Sequence, residues 1–235
     1  MPDRLTYELR DGIATVAMDD GKVNVLSLDM LRELGEAFDR AESDGAVVVL
    51  AGREGRFSAG FDLGTLTADA TNAPVMLRGG FELSVRMLSF PFPVVVACTG
   101  HAIAMGSFLL LSGDYRVGAS GPFKIRANEV AIGLTMPFAA IEVCRQRVNP
   151  SHFDRTVLLA EEYSPDSAVA AGFLDVVVDP AQVVDVARAK AAEYAQLNLN
   201  AHAGSKLRAR EASLAAIRAA IETDDAGVRA MLGAS

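Results

Sequence analysis

The sequence predicts an α/β fold closed by a helical C-terminal module, on three observations. Two uninterrupted apolar runs, 46–50 (AVVVL) and 93–98 (PVVVAC), are hydrophobic on both faces, as parallel strands covered by helices are. An amphipathic segment from about Val75 to Leu88 lies between them and supplies the crossover that a parallel pair needs. From Ala181 onward Ala, Arg and Glu dominate, which is helical composition. At 235 residues the chain is long enough for one large core and too short for two, so the expected division is a core at 1–180 and helices at 181–235.

The elements follow in order. Leu5, Tyr7 and Leu9 alternate up to Asp11-Gly12, and a second run follows from Ile13 to Met18, the pattern of a hairpin. Ser27 is placed to cap a helix whose apolar face is Leu28, Leu31, Leu34 and Phe38. Ser107 to Leu111 is a short apolar helix. Tyr115 to Val117, Phe123 to Ile125 and Phe173 to Val178 read as strands. Breaks are expected at Asn198–Gly204 and near Asp224. The stripe Val183, Val184, Ala187, Ala191 and Tyr194 needs a covering surface, either the core or a second subunit.

Composition excludes several function classes. The net charge of −8 has the wrong sign for a binder that displaces counterions from nucleic acid. No glycine fingerprint of the GxGxxG type, no GxxxxGK[ST] loop and no GxSxG elbow occurs. His101, His152 and His202 are dispersed, so no metal site is expected. Cys98 and Cys144 lie in apolar surroundings as reduced thiols. With no signal-like opening and no apolar stretch of spanning length, a cytoplasmic protein is expected, with no membrane partner.

Two loops carry the chemistry. RFSAGFDL at 56–63 follows one buried strand, and GHAIAMG at 100–106 follows the other and enters the short apolar helix. Small residues there leave backbone N–H groups accessible, and two such loops facing one another make an oxyanion hole. On the residues alone, ordinary glycine-bearing turns between strand and helix are the simpler account of them.

Together FSAGFDL at 57–63, the run from Pro93 to Ala102 and NEVAIGL at 128–134 resemble the crotonase superfamily of enoyl-CoA hydratases and isomerases, in order and spacing. The resemblance implies a crotonase-like spiral of ββα units with a C-terminal helical oligomerisation module. It further implies an acyl-CoA thioester substrate, no separate cofactor, and a homotrimer or dimer of trimers. It places the oxyanion donors at the backbone N–H groups of Phe61 and Met105. Ala59, Gly60, Asp62, Leu63 and Phe108 fall on the substrate side, with Asp62 fixing its loop. Lys206 and Arg208 are candidates for the coenzyme A phosphates, or equally for a solvated helix face.

The carboxylates then separate the reactions. Hydratases of this family hold water with two glutamates, and those positions are Phe108 and Glu129 here. A phenylalanine neither takes a proton nor orients water, whereas one base suffices to carry a proton between two carbons. The Asn128-Glu129 pair with an apolar residue at 108 resembles the mitochondrial 3-enoyl-CoA to 2-enoyl-CoA isomerases, with Glu129 as the catalytic base. Hydration, another reaction on acyl-CoA, and non-catalytic acyl-CoA binding remain as alternatives. Serine peptidases of the same spiral need a nucleophile where this chain has Ala104.

Overall fold

The computed structural model describes residues 4–231. It opens on the expected hairpin, β1 (Leu5–Arg10) against β2 (Ile13–Met18), antiparallel with Leu5 opposite Met18. Asp11 and Gly12 have φ of 53° and 73°, the left-handed pair that matches hairpin twist. A two-residue strand, β3 (Val25–Leu26), leads into α1 (Leu28–Ser43), whose Met30 N–H donates to Ser27 Oγ.

Three strand pairs then wind as a spiral: β4 (Val47–Ala51) with β5 (Gly55–Ser58), β7 (Val94–Cys98) with β8 (Gly100–Ile103), and β9 (Tyr115–Ala119) with β10 (Ile125–Arg126). The first strand of each pair enters a six-stranded sheet ordered β1-β2-β4-β7-β9-β11, where β11 is Val176–Val178. The second enters a three-stranded parallel sheet ordered β10-β8-β5. Helices close each turn: after β6 (Gly60–Phe61), α2 (Leu63–Ala68) and α3 (Asn72–Ser89), then α4 (Met105–Leu111), then α5 (Phe138–Arg145). Helices α6 (Pro150–Val157) and α7 (Pro165–Ala171) precede β11. Two expected strands are shorter than their apolar runs. Phe123 precedes β10, and Phe173 and Leu174 are buried before β11 begins.

Alternation in the large sheet divides the core. Val48, Leu50, Val94, Val96 and Cys98 point into the main core with α1, α3 and α4. Val47, Val49, Ala51, Val95 and Ala97 face the other way, onto α8 (Val183–Tyr194). That contact fully buries Val183, Ala187 and Ala191. The stripe therefore finds its cover on its own sheet, and the need for a second subunit that it suggested disappears. Both cysteines are buried and free, and burial pushes the Cys98 thiol up to about 12.

The last helix, α9, runs unbroken from Leu199 to Met231 along α3 and α5; residues 232–235 lie outside the described residues. The predicted break contracts to the four residues 195–198, and Ala201 N–H donates to Asn198 Oδ1. Gly204 is absorbed into the helix. Asp224 does not end it, because its carboxylate accepts from Phe138 N and Ala139 N at the start of α5, 3.0 and 2.8 Å away. Lys206 is also corrected: it is buried, with Nζ 2.7 Å from Asp114 Oδ2, while Arg210 holds Oδ1 at 2.8 Å. This is an internal anchor for α9 beside the start of β7, and Lys206 is not free to meet a phosphate. Arg208 is exposed. Among the described residues no helix is long and apolar enough to cross a membrane.

Candidate active site

The small parallel sheet brings the three site segments to one edge. Its strands β5, β8 and β10 run in the same direction. Residues 59–61, 104–106 and 127–129 emerge from their carboxyl ends, where parallel sheets present ligand-binding loops. Ala104 N–H donates to Arg126 O at 2.9 Å, tying the second segment to the third.

The first two segments meet at van der Waals distance. A methyl group on Gly60 would stand 2.9 Å from Ala104 Cβ and Ile103 O and 3.2 Å from Met105 N, and Gly60 has φ of 88°. Only glycine meets both demands. Below it, Ser58 Oγ donates to Asn24 O and accepts from Gly60 N, and Ala59 N donates to Val23 O. Asn24 is fully buried, its amide donating to Met18 O and Phe57 O. The Phe61 backbone thus rests on a satisfied polar base.

Ala104, with φ of 49°, takes a conformation that costs an alanine on the order of 1–3 kcal/mol. Its carbonyl accepts from Ser107 N, Phe108 N and Ser107 Oγ, contacts that hold the strain in place. Met105 N–H and Gly106 N–H open α4, where an α-helical ladder has no acceptor for them. The Met105 side chain is fully buried and faces Gly80 of α3, so it packs the core.

Glu129 starts a single 3-10 turn, Val130–Ile132, after β10. It is 8% exposed and, among the described residues, the only acidic residue that is buried. Glu129 Oε2 and Asn128 Oδ1 are both buried without a hydrogen-bond partner. Desolvation pushes the Glu129 carboxyl up to about 7, within reach of a base that works near neutrality. Val130 and Ile132 beside it are exposed. Asp62 is spent on structure, accepting from Gly64 N at 3.2 Å and Thr65 Oγ1 at 2.8 Å to start α2. Leu63 is exposed.

Phe108 is buried 6.1 Å, centroid to centroid, from Phe81 of α3, which in turn meets Phe61 edge-on at 6.2 Å. Gly80 makes this possible, since a methyl there would lie 2.5 Å from the Phe61 ring. Sequence reasoning missed both Phe81 and Gly80; the Gly79-Gly80 pair inside an amphipathic helix was the available signal. Also missed was an apolar cleft of about 700 Å³ between α2, α3, the 133–138 segment and the end of α9. It shares Phe81 with the aromatic cluster and reaches Gly133 and Leu134 just after Glu129. Phe61, Met105 and Glu129 are not among the residues on its wall. Among the described residues no group of His, Cys, Asp or Glu is arranged to hold a metal.

Comparison with known proteins agrees with this fold. The family model described as enoyl-CoA hydratase/isomerase matches residues 8–226. The structure superposes on an enoyl-CoA hydratase from Mycobacterium ulcerans with a TM-score of 0.92 at 51% identity, covering 95% of this chain and 98% of the other. A Mycobacterium tuberculosis protein, described in one structure as an enoyl-CoA isomerase and in another as a probable enoyl-CoA hydratase, gives TM-scores of 0.92 and 0.93 at 48% identity, covering 98% of this chain and 99% and 97% of the other. The human mitochondrial enoyl-CoA delta isomerase 1 is 29% identical over 210 residues, 86% of this chain and 68% of its own length.

Proposed function

The chain belongs to the enoyl-CoA hydratase/isomerase family, and on that premise we propose that it moves the double bond of a 3-enoyl-CoA thioester to the 2-position with a single base. Relatives described as hydratases and as isomerases lie at similar identity, so the residues must choose between the reactions. The observation that carries the choice is the pairing of one buried acid, Glu129, with a buried phenylalanine where a second glutamate would stand.

In the proposed reaction the thioester carbonyl oxygen accepts hydrogen bonds from Phe61 N–H and Met105 N–H. The Glu129 carboxylate removes a proton from C2, and the C–H electrons delocalise over C2, C3, C4 and the carbonyl as a dienolate. The same carboxyl, now neutral, returns the proton to C4, leaving the double bond between C2 and C3. Each oxyanion donor is worth on the order of 3 kcal/mol in reactions of this kind. A water molecule has no second carboxylate to hold it, so hydration is slow.

Purified protein tested on 3-enoyl-CoA and 2-enoyl-CoA esters of several lengths decides between enzyme and binder. Turnover of at least one 3-enoyl ester is expected. Tight binding of all esters without turnover would leave a binding protein. Assembly as a homotrimer or dimer of trimers belongs to the same proposal.

A further inference from the structure

The two proposed oxyanion donors share a neighbour outside their own loops. A methyl group on Gly80, buried within α3, would stand 2.5 Å from Cε1 and Cζ of the Phe61 ring and 3.4 Å from Cγ of Met105. These are the three atoms nearest to it. Gly80 lies inside the helix and its φ is not positive, so space and not backbone conformation calls for glycine. Gly79 beside it differs: a methyl there would meet only Leu31 Cδ1, at an ordinary 3.6 Å. Both glycines weaken the helix, but Gly80 has a packing reason, and that reason is the pair of residues that bear the hole.

In the proposed reaction Phe61 N–H and Met105 N–H go to the thioester, so neither residue can be held in place by its own donor. Their side chains must hold them. Met105 is fully buried, and the Phe61 ring lies edge-on to Phe81, the next residue of α3, with centroids 6.2 Å apart. The Phe61 backbone belongs to a strand of only two residues, paired with Leu26. Gly60 sets the gap between the two loops from the backbone side, and Gly80 meets the same two residues from the side-chain side. Resting on the acyl-thioester reading, we propose that Gly80 is a positioning residue: it seats the Phe61 ring and the Met105 side chain against one spot of α3 and so fixes the spacing of the two N–H donors. An alanine at position 80 would have to push the ring about 1 Å to restore ordinary carbon contact. With Phe81 closing one side, the ring leaves its seat and the Phe61 backbone loses its anchor.

The test compares Gly80→Ala with Gly79→Ala, the same change of helix propensity one residue away, and with Phe61→Ala, which removes the ring and keeps the backbone donor. One readout is kcat and KM on a 3-enoyl-CoA ester. The other is the infrared carbonyl stretch of bound butanoyl-CoA, isotopically labelled at its carbonyl carbon, which hydrogen bonds from the hole move to lower frequency without any turnover. Gly80→Ala should lower kcat by about tenfold to a hundredfold and move KM by less than about threefold, as expected when a contact that strengthens in the transition state is misplaced. It should also lose most of the carbonyl shift, and Phe61→Ala should do the same, while Gly79→Ala changes neither. Added to Phe61→Ala, Gly80→Ala should cost less than about threefold more, because the ring it displaces is gone. Circular dichroism shows which variants are folded, and if Gly80→Ala is not, Phe61→Ala decides alone. An unchanged kcat and a full carbonyl shift in the folded variants overturn the proposal, as do equal losses in Gly79→Ala or additive losses in the double variant. A wild-type carbonyl shift that Gly80→Ala removes, with no turnover of any enoyl ester, would sink the isomerase reading and leave this one standing. Turnover with an unshifted carbonyl in wild type would do the reverse.

Discussion

Glu129 combines burial, an unpartnered oxygen and a carboxyl pushed up to about 7. As a base it must be ionised, so kcat/KM for a 3-enoyl ester should rise with pH and level off above about 7. Glu129→Gln keeps the shape without the base and should lose on the order of a hundredfold to ten-thousandfold in kcat; retention of a tenth of the rate would remove Glu129 from the mechanism. The same group makes a stability prediction of opposite sign. Its folded pKa lies above its unfolded one, so the native state binds the proton more tightly, and stability falls as pH rises from about 4.5 to 7. Glu129→Gln should therefore be more stable than wild type at pH 8, by roughly 2–4 kcal/mol, and nearly equal to it at pH 4, as thermal melts at the two values would show. The sequence marked this residue through its motif. Its burial was expected, but the neighbours Val130 and Ile132 face outward and do not supply it.

Among elements, the junction of β6 with the start of α4 is the tightest feature of the site. Gly60→Ala forces a methyl against Ala104, Ile103 O and Met105 N at a positive φ. It should cost about 1–3 kcal/mol of stability and lower activity more than tenfold by displacing the Met105 donor. A crystal structure showing Met105 N unmoved, with activity intact, would mean that this contact does not position the hole. Most elements were readable because their signals are local: the hairpin turn, the Ser27 cap, and the two valine runs. The strands that were overestimated, around Phe123 and Phe173, are apolar because they are buried, and burial alone does not distinguish a strand from a packed loop. The meeting of Gly60 with Met105 is tertiary and left only glycines in the sequence to suggest it.

Across the whole molecule, α9 is fixed at one end by Lys206 and Arg210 on Asp114 and at the other by Asp224 on α5. Lys206→Met removes one of the two cations on the partly buried Asp114 carboxylate and should destabilise the protein by roughly 3 kcal/mol or somewhat less, with KM for acyl-CoA unchanged. A large rise in KM at unchanged stability would restore Lys206 as a phosphate ligand. Composition could not separate these roles, since a lysine in an Ala- and Arg-rich helix reads the same whether paired or solvated. The proposed oligomer would have to use other surfaces than the α8 stripe. Ile132, Phe138, Leu158 and Leu159 are each more than half exposed, more apolar surface than a monomer usually leaves open when such residues form one patch. Light scattering should give a trimer or hexamer, and a stable monomer at micromolar concentration would contradict this.

One base without a second acid is the centre of the proposed chemistry, and the most direct measurement compares two rates on one preparation of wild-type protein. Isomerisation of a 3-enoyl-CoA and hydration of the 2-enoyl-CoA of the same chain length are followed side by side, across several lengths. Isomerisation should be the faster at every length, because Phe108 holds the place from which a second carboxylate would orient water. Hydration equal to or faster than isomerisation would contradict the single-base reading and show that Glu129 activates water without a carboxylate at position 108.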